Sequence, residues 1–165
     1  MDNSPLNRID PFGLRTIIII SKEGIGHAGI YIDNPKGMRM LYDPNGSFVF
    51  DPRNGIDTPY DPYGPQINYG PIFEGNEVDL ANYIAYQGKD PSIFIFSTTS
   101  EQESKIAENI VNLATPGFLS CATKVSEALN GVPGFDFLRD RWGTGIPSVL
   151  SGILNEVKKP DTVHY

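Results

Sequence analysis

The chain has 165 residues, 39% of them hydrophobic, which is enough for one domain with a real core and excludes a disordered composition. Its formal net charge of −7 opposes phosphate backbones, so the composition argues against a nucleic-acid substrate or partner. A single cysteine excludes an internal disulfide and leaves either a buried small apolar residue or a reactive thiol. With 17 glycines and 14 prolines, long shaped loops around a compact centre are expected.

Residues 1–14 are polar and turn-rich, with Pro5, Pro11 and Gly13, and contain no apolar stretch of the kind a signal peptide needs. The run Asp10-Pro11-Phe12-Gly13-Leu14 is good turn chemistry in its own right. It also resembles the motif that closes the core of Rhs-repeat proteins. That resemblance implies a boundary: residues 1–14 as the end of an Rhs core, and 15–165 as the variable toxin domain. It further implies self-cleavage at the Leu14–Arg15 junction, and secretion without a signal peptide, with type VI delivery into a target cell. The parent Rhs shell and a cognate immunity protein would then be partners.

Residues 15–20, RTIIII, form a β-branched run that predicts a strand, too short to span a bilayer. Gly24 and Gly26 mark a turn. His27–Ile32 predicts a second strand and Met38–Tyr42 a third, with turns at 34–37 and 43–46. Ser47–Phe50 is a candidate fourth strand. Residues 51–76 show little periodicity, and a loop of that length is often functional. Its Tyr60, Tyr63, Tyr69 and Phe73 are candidates for an apolar wall over a site, or for tyrosines packed on the core.

A short helix is expected within 77–87, with Val78, Tyr83 and Ile84 inward, and a strand over 92–96. Ser100 with Glu103 fits a capping box for a helix over 101–113, whose apolar stripe is Ile106, Ile110, Val111 and Leu113. After a break at 115–117, Cys121 opens a helix that Asn130-Gly131 ends. A last helix covers 148–157. Strands first and helices afterwards argue for an α+β fold with an antiparallel sheet.

A thiol hydrolase needs a thiolate, a base within about 2.6–3.2 Å, and a group that orients the base. Cys121 at a helix start meets the first need, because the partial positive charge and free N–H groups there lower a thiol pKa. The same N–H groups, near Ser120 and Ala122, are candidates for an oxyanion hole. Of the two histidines, His164 lies beside the C-terminus, which leaves His27 as the candidate base. Asp43, ending the neighbouring strand, is the candidate orienting group, and Asn45 is the alternative. Asp43 also suits an ordinary turn start.

Gly26-His27-Ala28-Gly29-Ile30-Tyr31-Ile32 followed by Leu41-Tyr42-Asp43-Pro44 resembles the histidine hairpin of papain-like enzymes of the NlpC type. In that family the cysteine usually precedes the histidine. Here it follows, as in the circularly permuted branch that includes lecithin:retinol acyltransferase-like proteins. Ser120 stands where many members of that branch carry Asn. The resemblance, over about residues 17–131, implies a permuted papain-like fold and a Cys121–His27–Asp43 site acting as an amidase, peptidase or deamidase without a cofactor.

Three other readings remain open. One is a lipid acyl hydrolase or acyltransferase. Another is a non-catalytic binding module. The third is an ADP-ribosyltransferase, suggested by Phe96-Ser97-Thr98-Thr99-Ser100 with Glu101 and Glu103, although these glutamates fit a helix start. One cysteine and two distant histidines form no spaced ligand set for a metal.

Overall fold

The computed structural model describes residues 14–34, 39–44, 48, 80–113, 121–138 and 145–158, and the backbone of 72–74. The Rhs-like motif 10–13, Asn45, the tyrosines 60, 63 and 69, Val78, Ser120, the helix break at 115–117 and His164 lie outside the described residues.

The sheet comprises β1 (Arg15–Ser21), β2 (His27–Asp33), β3 (Arg39–Tyr42), β4 (Ile72–Glu74) and β5 (Ser92–Ser97). Their order is β4-β3-β2-β1-β5, and every pairing is antiparallel. With the helices α1 (Leu80–Tyr86), α2 (Ser100–Asn112), α3 (Cys121–Leu129) and α4 (Pro147–Val157), the chain is α+β.

The isoleucine run of β1 is buried along its length because both sheet faces are covered. Alternation divides it. Ile18 and Ile20 join Ala28, Ile30, Ile32, Phe94 and the helical residues Ile106, Ile110, Val125 and Leu154 on one face. Ile17 and Ile19 join Tyr31, Leu41, Phe48, Tyr83 and Ile93 on the other. The sheet is thus a central layer, with α2, α3 and α4 on one side and α1 with Phe48 on the other.

Several details differ from the sequence expectations. Phe48, the described residue of the candidate fourth strand, is helical; the strand that pairs with β3 is Ile72–Glu74. Phe48 instead packs its ring edge-on against Tyr83 and Tyr86, with centroids 5.1 Å apart in each pair. The capping box of α2 lies one residue earlier than Ser100–Glu103. Thr99 accepts from the Gln102 amide at 3.3 Å, and Gln102 accepts from the Thr99 amide at 2.7 Å. Glu103 is thereby freed from capping and accepts from the Thr98 hydroxyl at 2.9 Å, inside the protein. Val111 is about half exposed rather than part of the apolar stripe, since one step of 100° carries it away from Ile110, and Ala107 takes the place. α4 starts at Pro147, a favoured residue for a first helical turn.

Candidate active site

The site forms at the end of the sheet where β1 turns into β2. The turn closes with the Gly26 amide donating to the Glu23 carbonyl at 2.9 Å. Gly26 has φ +79°, a conformation that favours glycine. A Cβ there would also lie 2.9 Å from Cβ of Pro147, so the turn sits directly against the start of α4. His27 follows as the first residue of β2, with its ring on the face that carries Gly29 and Tyr31.

β3 ends at Tyr42, and Asp43 continues it with its carboxylate toward the same face. Asp43 is fully buried, yet its oxygens are satisfied. Oδ1 bonds His27 Nε2 and accepts from the Tyr83 hydroxyl at 3.4 Å. Oδ2 accepts from the Phe48 amide at 3.0 Å. A buried carboxylate is costly unless paired in this way. The local turn chemistry of Asp-Pro therefore does not account for Asp43, whose side chain is turned inward.

Cys121 is the first residue of α3, as the sequence predicts, and α3 packs its Ala122 and Val125 against the sheet. That packing brings the helix start to the start of β2, where the thiol hydrogen-bonds the His27 side chain. Because Nε2 is engaged by Asp43, Nδ1 is the ring nitrogen left for sulfur. The backbone amides of Ala28 and Ala122 also donate to the sulfur. Ala122, expected as an oxyanion donor, thus directs its amide at the thiol in the resting site.

The electrostatics follow from these contacts. Burial alone penalises a charged imidazole, but Asp43 and Cys121 outweigh it and raise His27 from 6.5 to about 9. Burial likewise penalises a thiolate, yet the His27 hydrogen bond and charge and the two amides bring Cys121 below the ordinary thiol value. Both shifts run the same way: each favours a thiolate on Cys121 beside a protonated His27.

The three residues Cys121, His27 and Asp43 are brought together, although Cys121 is far from the other two in sequence. Tyr83 was expected only as an inward-facing core residue, and its hydroxyl contact with Asp43 was not anticipated. The proximity of α1 to Asp43 depends on the path of the chain between them and leaves no signal in spacing.

At the opposite end of the sheet, Arg15 pairs with Asp33, and Arg39 lies 3.3 Å from the same carboxylate. The Leu14 carbonyl accepts from the Thr98 amide at 3.2 Å, so the Leu14–Arg15 junction lies at the start of the sheet, remote from Cys121. Among the described residues, no helix is long and apolar enough to cross a membrane.

No protein-family model, curated protein or solved structure matches the chain.

Proposed function

We propose that this protein is a cysteine hydrolase that attacks an acyl carbonyl, in which Cys121 is the nucleophile, His27 the acid and base, and Asp43 the group that orients His27. The observation that carries this reading is Cys121 at a helix start, hydrogen-bonded to a histidine that a buried aspartate holds from its other side. Each contact serves the chemistry. The helix start and the imidazolium stabilise the thiolate, and the aspartate fixes which ring nitrogen faces it.

In the reaction, the Cys121 thiolate attacks the carbonyl carbon and forms a C–S bond. The imidazolium of His27 gives its proton to the leaving amine or alkoxide as the acyl bond breaks, which leaves a thioester. Neutral His27 then takes a proton from water, whose oxygen attacks the thioester. The carboxylic acid departs and the thiolate returns. Amide donors at the start of α3 are assigned the role of holding the oxyanion.

The substrate class favoured is an amide: a cell-wall or other peptide bond, or a protein glutamine side chain. A lipid acyl ester is the second choice, because a net charge of −7 suits an anionic membrane surface poorly. The permuted papain-like arrangement and the Rhs-like leader fit one picture, an antibacterial effector delivered into a target cell and neutralised by an immunity protein. A binding module is the weaker reading, because a thiol beside a histidine held by a buried aspartate is a costly arrangement to keep for packing alone. A transferase reading is disfavoured because Glu103 is 2% exposed and engaged by Thr98.

The test is growth of bacteria that express the full chain in the cytoplasm or directed to the periplasm, beside Cys121→Ala and His27→Ala. Toxicity that disappears in both folded variants supports the pair, and the compartment affected selects the substrate class. Toxicity that survives both removes the hydrolase reading.

A further inference from the structure

We infer that Tyr83 is a positioning residue that acts on Cys121 through Asp43 and His27, an inference that rests on the hydrolase reading above. Tyr83 is fully buried in α1, and its hydroxyl reaches Asp43 Oδ1, the same oxygen that holds His27. The hydroxyl arrives there over Gly29. A Cβ at that position would stand 2.2 Å from the Tyr83 oxygen and 2.9 Å from its Cζ, so the backbone of β2 is bare where the phenol passes. Gly29 has no positive φ that would require glycine, so the space for the phenol is its local reason.

The helix that carries Tyr83 is itself tied to the turn that carries His27. The Ser21 hydroxyl donates to the Gln87 carbonyl at 2.7 Å, and the Lys89 amide donates to Glu23 Oε1 at 2.8 Å. Phe48, whose amide holds Asp43 Oδ2, packs edge-on against the Tyr83 ring. Asp43 is therefore gripped from two sides by groups that also grip each other. Burial raises the Tyr83 pKa well above its ordinary value, so the hydroxyl remains a proton donor over the whole working range. A donor that keeps its proton holds in place the Asp43 oxygen that faces His27 Nε2.

The experiment compares the wild-type chain, Tyr83→Phe and Asp43→Asn by iodoacetamide alkylation of Cys121 across pH, with the His27 ring titration followed by NMR. Tyr83→Phe keeps the ring and its packing on Phe48. The expected result is an alkylation midpoint raised by about half a unit to one unit, a loss of roughly three- to tenfold in thiolate at low pH. The His27 midpoint falls with it. An alkylation profile and a His27 midpoint that both overlay the wild type would overturn the positioning role while Asp43→Asn still shifts them. If Asp43→Asn also leaves both unchanged, the hydrolase reading fails along with the inference. If Tyr83→Phe does not fold, Gly29→Ala, which keeps the hydroxyl but displaces it, supplies the same comparison.

Discussion

The imidazole of His27, at the first position of β2, meets the thiol of Cys121, at the first position of α3. Two element starts converge because α3 packs along the sheet with its N-terminus at the β1–β2 turn. Helix starts are places where backbone N–H groups are free to face a ligand, and here the Ala122 amide, with that of Ala28, faces sulfur.

Asp43 is expected to support folding in a pH-dependent way. The folded His27 pKa of about 9 exceeds its ordinary 6.5, so protonation favours the folded state. That stability is fully present below pH 6.5 and is lost as pH rises through about 9. Asp43→Asn removes one of the two partners, with Cys121, that raise the value. Urea unfolding should show a destabilisation on the order of 2 kcal/mol near pH 6, narrowing by pH 9. A penalty that grows with pH would contradict the pairing.

Gly29→Ala introduces a methyl group where the phenol of Tyr83 passes, and the ring has little room to retreat beside Phe48. Overpacking of this kind costs about 1–3 kcal/mol. Thermal melting should fall accordingly, and Cys121 alkylation at neutral pH should slow. An unchanged melt would mean that α1 shifts freely away from β2.

Thr99→Ala removes the side-chain oxygen that caps α2 and should cost about 1 kcal/mol. Since α2 contributes no group to the site, the pH profile of Cys121 alkylation should stay in place. A shift in that profile would link the cap to the site in a way the contacts do not provide.

Much of the fold is legible in the sequence where one physical signal dominates. The β-branched run 15–20 can hardly be anything but a buried strand, and Cys121–Leu129 carries both its break and its terminating glycine. The sequence places the capping box one residue late because Thr99 and Ser100 cap equally well in isolation. What decides between them is burial of Glu103 beside Thr98, a tertiary fact. Phe48, within the strand expected over 47–50, is helical for a similar reason. Phe48 is apolar because it covers the sheet face and packs on Tyr83, not because it extends the sheet.

In the candidate site, Cys121 stands out by its position at a helix start, whereas His27 stands out through the resemblance of its hairpin to NlpC-type enzymes. The inward turn of Asp43 could not be separated from turn chemistry by sequence alone, because Asp-Pro satisfies both. Tyr83 reads as one more aromatic of a core helix, and only its meeting with Gly29 gives its hydroxyl a purpose.

The most direct test of the central claim is the pH dependence of Cys121 alkylation by iodoacetamide in the intact chain, with His27→Ala beside it. The account predicts a thiol that titrates below the ordinary cysteine value. It also predicts that His27→Ala moves the midpoint upward and slows labelling at pH 6.5 by roughly tenfold or more. A wild-type thiol that titrates in the ordinary cysteine range, unaffected by loss of His27, would contradict the thiolate–imidazolium pair and the hydrolase built on it.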